Sequence, residues 1–381
     1  MPKNSHLNLA RKLKRDEFYT CRSTVEDELY HYTKHFKGKT VLCNCDDDEY
    51  SEFFKYFYQR FDFLGLKKLI GVHYEGEKDE DGKYKPSYKL ELYEDTNKDG
   101  VVNFKDEIIK TPIYGNDEYP AGDFRSRECI ELLKEADIVV TNPPFSLLRE
   151  YITQLVEYGK KFLIIGNCAS VGCKEIFPLF KDNKIWLGIS IRKGDREFRV
   201  VDYDKSCGKP SRIDEKGFKY TKIPGIRWFT NLRTAYKQPS LDMREVYYTP
   251  EKYPKYDNYD AINVDKVADI PCDYPGVMGV PLSFMDKYCP EQFEIVGITG
   301  RGNNVAFKTK IYTKEDAENY GDHNAHPVLL KDGKLKSLYT RIFIRNRHPE
   351  HRKQLILMDK QVVLQKVFIA EFVSSVAKKA A

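Results

Sequence analysis

The sequence lacks most of the features that would assign it quickly. Its 9 cysteines, at 21, 43, 45, 129, 168, 173, 207, 272 and 289, include no Cys-x-x-Cys pair, which argues against a zinc ribbon. Their odd number argues against a disulfide framework, and reduced thiols in the cytoplasm fit best. No apolar run of about 20 residues is present to span a bilayer. The opening MPKNSHLNLARKLKRDEFYT carries no apolar core of a secretion signal. No internal repeat occurs. At 381 residues the chain suggests two domains, or one large domain with insertions.

What is present is charge and aromatic surface. Charged residues make up 32% with a net charge of +5, compatible with a polyanionic partner without demanding one. The 27 tyrosines and 22 phenylalanines supply core, and such rings also stack on nucleobases. Residues 1–15 form a basic arm with no acid: Lys3, Arg11, Lys12, Lys14 and Arg15. A solvated arm and a segment lying on phosphate are equal readings of it.

Strands are expected at Thr40–Asn44, Leu69–Tyr74, Ile138–Thr141, Phe162–Gly166 and Ile185–Ser190. Helices are expected at Ser51–Phe61, Arg125–Lys134 and Ser146–Tyr158. This alternation implies βαβ units and a parallel sheet. The charged stretch at about 76–115 reads as an inserted hairpin. From about 191 the texture shifts to glycine, proline, arginine and tyrosine, so a domain change is placed there. A region at 191–345 with returning sheet elements is followed by a tail at 346–381. Ligands of parallel sheets bind at the carboxyl ends of strands, and the turns at Asn44, Asp123 and Asn142 all fall near that edge.

The stretch TNPPFS (141–146) stands out among them. Pro143 pushes Asn142 toward an extended conformation. Pro144 fixes its own φ and has no N–H to donate. The stiff elbow suits two acceptors, the Asn142 side-chain oxygen and the Pro143 carbonyl, each taking one hydrogen of an exocyclic amine. Phe145 offers a flat face to a heteroaromatic ring. An adenine-type amine is a poor nucleophile because its lone pair is delocalised. Two acceptors out of the ring plane favour a pyramidal nitrogen. The sulfonium methyl of S-adenosylmethionine is then a fitting electrophile, with catalysis by positioning and electrostatics and no metal required. A plain strand followed by a Pro-Pro turn is the bland reading.

Asn142-Pro143-Pro144-Phe145 after a strand resembles the signature of amino-methyltransferases acting on exocyclic nitrogens, in the adenine N6 branch. Arg15-Asp16-Glu17-Phe18-Tyr19-Thr20 resembles their N-terminal cofactor motif. Lys39 to Asp47 resembles the first cofactor strand and turn, with CNCDDD where methyltransferases commonly carry a glycine-rich turn. Gly122-Asp123-Phe124-Arg125-Ser126 resembles the motif whose acid bonds the cofactor's adenine. With IRWFTNL (226–232) and GVPLSFMDKYCPEQFEIVG (279–297), the chain resembles the EcoRI-type adenine-specific DNA methyltransferases from about 15 to about 345. The resemblance implies a Rossmann-like α/β methyltransferase sheet at 16–190 and a loop- and strand-rich DNA-recognition region after it. It implies Tyr19, Thr20, Asn44, Cys45, Asp46, Asp123, Phe124 and Asn142 as cofactor contacts. Glu75 is a weaker candidate for the ribose hydroxyls.

Basic residues interleaved with aromatics suit DNA. Lys12, Lys14, Arg15, Arg192, Arg196, Arg227 and Arg233 are the candidate DNA contacts. Asp95-Thr96-Asn97-Lys98-Asp99-Gly100, continued to Asp106, matches a calcium loop at Asp95, Asn97 and Asp99. Asp106 stands where glutamate is preferred, so a hydrated turn is the stronger reading. His31 and His35 are four apart with no third ligand evident. The expected function is site-specific N6 methylation of a flipped adenine in double-stranded DNA, with or without a restriction endonuclease acting on the same site. RNA adenine, a protein glutamine amide, and an inactive DNA-binding relative are the alternatives.

Overall fold

A computed structural model describes residues 19–44, 51–191, 196–200, 210–234, 238–244, 246–300 and 305–350. The chain divides into two compact units, residues 1–237 and 238–381. The compositional shift near 191 therefore falls inside the first unit.

The first unit is mixed α/β. Its strands are β1 (Tyr19–Thr20), β2 (Thr40–Cys43), β3 (Lys68–Val72), β4 (Ser87–Leu92), β5 (Ile109–Ile113), β6 (Ile138–Thr141), β7 (Lys161–Asn167), β8 (Trp186–Leu187), β9 (Arg196–Val200), β10 (Arg212–Ile213), β11 (Lys219–Ile223) and β12 (Ile226–Thr230). Eight of them form one sheet in the order β5-β4-β3-β2-β6-β7-β12-β8. The four central strands, β3, β2, β6 and β7, run parallel. Their residues are almost uniformly buried, as expected for strands covered on both faces. The inserted hairpin is β4 and β5, which pair antiparallel and extend the sheet beyond β3. At the other side β12 pairs antiparallel with both β7 and β8. All five residues of β12, Ile-Arg-Trp-Phe-Thr, are buried.

Helices connect these strands where capping and pattern predict. Ser51 accepts the Phe53 and Phe54 N–H groups and opens α2 (Glu52–Gln59), which follows α1 (Arg22–Leu29) in the chain. Ser126 accepts Cys129 N–H and opens α3 (Arg127–Glu135). Such side-chain caps satisfy donors that a helix start leaves unpaired. The next helix, α4 (Leu148–Glu157), has no side-chain cap. Its approach is set by the prolines, with Leu147 N–H donating to Pro144 O at 2.9 Å. A second sheet of the unit has the order β1-β9-β11-β10.

The chain order of the central strands fixes where a ligand can sit. From β2 the chain steps to β3 on one side, then crosses back to β6 on the other. The switch point lies between β2 and β6, and in open α/β sheets the crevice opens beyond the carboxyl ends of such a pair. Asn44 and Asn142 are the residues that follow β2 and β6.

The second unit carries a sheet of order β13-β14-β18-β15, made of β13 (Ile262–Asn263), β14 (Met278–Pro281), β15 (Phe293–Ile298) and β18 (Arg341–Asn346). Tyr256, Tyr259, Ala261, Val277 and Phe343 form a buried cluster there. A separate hairpin joins β16 (Val328–Lys331) to β17 (Lys334–Ser337). No helix among the described residues is long and apolar enough to cross a membrane.

Candidate active site

The carboxyl ends of β2 and β6 are tied together: Thr141 Oγ1 donates to the Asn44 carbonyl across the switch point. Asn44 is buried, and its side-chain Oδ1 has no hydrogen-bond partner among the described residues. The same holds for Thr20 Oγ1 in β1. A buried acceptor without a donor costs about 1–3 kcal/mol, so each marks a place where a polar ligand group would be welcome.

Thr20 reaches the elbow through one neighbour. It stands opposite Phe198 of β9, and the Phe198 ring meets Phe145 edge to face at 5.9 Å. Phe145 is half-buried and packs on the main core cluster. Pro143 is buried, while Asn142 and Pro144 are half-buried. The elbow is thus anchored on its apolar side, and the Asn142 Oδ1 atom is itself buried.

The Gly122–Ser126 turn joins the same edge from the β3 side. Glu75 and Ala121 form a β-bridge just past β3. Gly122 has φ +83°, and a Cβ there would lie 2.0 Å from the His73 carbonyl oxygen. Only glycine allows so close an approach at that backbone angle. Gln154 of α4 donates to the Phe124 carbonyl at 3.2 Å, which links this turn to the helix that follows the elbow. The Phe124 ring is buried edge to face on Tyr151 at 4.8 Å, a packing position.

Asp123 is buried and clamped by Arg125, with Nε to Oδ1 at 2.9 Å and Nη2 to Oδ2 at 2.8 Å. That pairing raises the affinity of Arg125 for its proton, and Glu150 adds to it. The cap of the following helix is Ser126, so Asp123 is not tied up as a helix cap. Glu75 turns its carboxylate back on its own chain, accepting Glu77 N–H at 2.8 Å.

Some residues expected at the site lie elsewhere or outside the described residues. Cys45, Asp46, Lys12, Lys14, Arg15 and Arg192 fall outside them. Arg196 begins β9 and faces Ile223 across the ladder. Arg227 is buried in β12, with Nη1 on the Ile226 carbonyl at 2.7 Å. Arg233 is exposed, its guanidinium 5.2 Å from the Trp186 ring centre. Cys43 is fully buried in the core. The seven cysteines among the described residues are all free. Burial pushes Cys129 up to about 12 and Cys272 to about 11, so neither offers a thiolate near neutral pH.

The calcium-like loop closes on itself. Asp106 Oδ1 accepts the Thr96 and Asn97 N–H groups at 2.8 and 3.1 Å, and Oδ2 accepts Asn103 N–H at 2.8 Å. Asp95 holds Asp99 and Gly100 N–H in the same way. Among the described residues no group of three or more His, Cys, Asp or Glu is placed to hold a metal ion.

Glu28 was missed from sequence. Its carboxylate is fully buried and accepts Ile189 N–H at 2.8 Å, Ser190 N–H at 2.6 Å and Tyr32 O–H at 2.9 Å. It pins α1, the helix that follows Thr20, to the segment after β8. A signal existed: Val25, Glu28, Leu29 and Tyr32 share one helical face at i, i+3, i+4 and i+7, and a carboxylate on an apolar face needs donors.

A family model described as adenine-specific methyltransferase EcoRI matches residues 6–347. The chain belongs to that family. Among its relatives, the type II methyltransferase M.EcoRI of Escherichia coli is 47% identical over 294 residues, covering 77% of this chain and 89% of that protein. M.MgeORF184P of Mycoplasma genitalium is 42% identical over 294 residues, covering 76% and 85%. M.MpnI of Mycoplasma pneumoniae is 37% identical over 350 residues, covering 90% and 98%. No solved structure matches. Membership in the family makes the chain an adenine-specific methyltransferase, and the match extends well into the second unit.

Proposed function

We propose that the protein methylates adenine N6 at specific sites in double-stranded DNA, as the modification partner of a restriction system. A cognate endonuclease would act on the same sequence without being bound. The observation that carries the reading is the Asn142–Phe145 elbow at the switch point, linked by Thr141 to Asn44 at the end of β2. The parallel order of β3, β2, β6 and β7, with β12 reversed beyond them, supports a Rossmann-like methyltransferase sheet.

S-adenosylmethionine fits the residues present. The buried acceptors on Asn44 and Thr20 and the Asp123 carboxylate offer partners for its amino and adenine groups, with Tyr19, Cys45, Asp46 and Asn142 as further contacts. When bound, it supplies an electrophilic methyl on a sulfonium. The elbow does the rest: the Asn142 oxygen and Pro143 carbonyl accept the two hydrogens of the adenine amine, so its lone pair turns toward the methyl. Phe145, held from behind by Phe198, stacks on the base. The target must be flipped out, which costs a few kcal/mol that stacking partly offsets. Lys12, Lys14, Arg15, Arg192, Arg196 and Arg233 contact phosphate, and the second unit contributes to reading the site.

Incubation with tritiated cofactor and mixed-sequence duplex DNA, followed by nucleoside analysis, tests this. Label in N6-methyladenine at a fixed sequence is expected. Label in another nucleoside of the DNA, or no label in the DNA, would overturn the reading.

A further inference from the structure

We infer that the β16–β17 hairpin is a DNA-contacting ribbon, its lysines seated on phosphates beside a groove of the duplex; this rests on the proposed DNA substrate. The hairpin forms a two-stranded sheet of its own. Its turn is Asp332-Gly333, with φ 51° and 72°, the geometry of a tight two-residue connection. Register sets Lys331 opposite Lys334 and Leu329 opposite Lys336. Side chains alternate along a strand, so Lys331, Lys334 and Lys336 share one face.

All three lysines are exposed, and none pairs with an acid among the described residues. Like charges directly opposite on a ladder destabilise it. Some other lysines of the same unit have partners: Lys310 pairs with Asp257 at 3.0 Å and Lys308 donates to the Asn324 carbonyl at 2.7 Å. The ribbon thus concentrates positive charge on one exposed face, which a polyanion would complement. Tyr339, just past β17, is 84% exposed and adds a flat apolar surface next to the ribbon. A two-stranded ribbon is also of a width that the major groove admits.

The test compares the wild-type protein with K331A/K334A/K336A and K331R/K334R/K336R on a labelled duplex carrying the methylated sequence, across about 50–200 mM salt. Each neutralised phosphate contributes about 0.9 to the slope of log affinity against log salt. The alanine triple variant should flatten that slope by about 2.7 and bind at least about tenfold more weakly at low salt. The arginine triple variant should behave as wild type. Binding of S-adenosylhomocysteine and the melting temperature should not fall in either, since all three side chains are exposed and the changes touch no core. Lys331→Gln alone should flatten the slope by about 0.9. If wild type methylates DNA yet the slopes are unchanged between the variants, the assignment is overturned. If wild type methylates no DNA, the proposed function fails first.

Discussion

The Asp95–Asp106 loop and the Asn142–Phe145 elbow invite comparison. Both follow a strand of the same sheet, both are crowded with turn-forming residues, and both resemble ligand-binding motifs. In the loop, the carboxylates of Asp95, Asp99 and Asp106 accept N–H groups of the loop's own backbone. At the elbow the prolines remove local donors, and the neighbouring Asn44 and Thr20 side chains carry buried acceptors with no partner among the described residues. Asx-type turns occupy their own acceptors. A motif whose own chain supplies most of the donors leaves less capacity for a ligand.

That contrast can be broken most directly at Asn142. Asn142→Ala should lower methyl transfer by about a hundred- to a thousandfold, the scale of losing an electrostatic stabiliser at a reacting group, while cofactor and DNA binding stay measurable by titration. Transfer at more than a tenth of the wild-type rate would remove Asn142 from the mechanism. Glu28→Ala should be the largest stability loss, about 3 kcal/mol, because it leaves two buried N–H groups without their carboxylate. Chemical denaturation would measure it, and Glu28→Gln should recover part. Gly122→Ala should cost about 2 kcal/mol or more through strain and the contact with His73, and isothermal titration should show weakened cofactor binding. Phe145→Ala should lessen the brightening of 2-aminopurine placed at the target position, with a smaller effect on DNA affinity. The smallest effect belongs to the loop. Backbone N–H groups hold the Asp106 carboxyl below its usual range. Its contribution is therefore present above the unfolded value of about 3.9 and lost as pH falls through the lower folded value. Amide exchange at Thr96, Asn97 and Asn103 should accelerate only in that acid window. Added calcium should leave melting unchanged, and a rise would restore the calcium reading.

Much of the first unit was legible in the sequence because parallel strands are short, apolar runs broken by capped helices. Ile138–Thr141 is found as expected, and Ser51 and Ser126 cap where helices were anticipated. The expected strand Ile185–Ser190 shrinks to Trp186–Leu187 because Ile189 and Ser190 give their N–H groups to Glu28 rather than to a neighbouring strand. Arg227 read as a surface base because charge suggests solvent, yet it lies in a strand whose neighbours Ile226, Trp228 and Phe229 are core. The clamp of Arg125 on Asp123, the backing of Phe145 by Phe198 and the lysine register of β16–β17 were not legible. Each depends on which strand lies beside which, and pattern alone does not specify that. The second unit, antiparallel and rich in loops, offers few periodic signals of the kind that made the first unit readable.

The elbow is expected to hold an adenine amine next to the methyl donor. A crystal structure with duplex DNA carrying the methylated sequence and S-adenosylhomocysteine tests it most directly. The flipped adenine's N6 is predicted within about 3 Å of both Asn142 Oδ1 and the Pro143 carbonyl, with Phe145 stacked on the ring. An adenine still paired in the helix, or flipped into a pocket elsewhere on the chain, would contradict it.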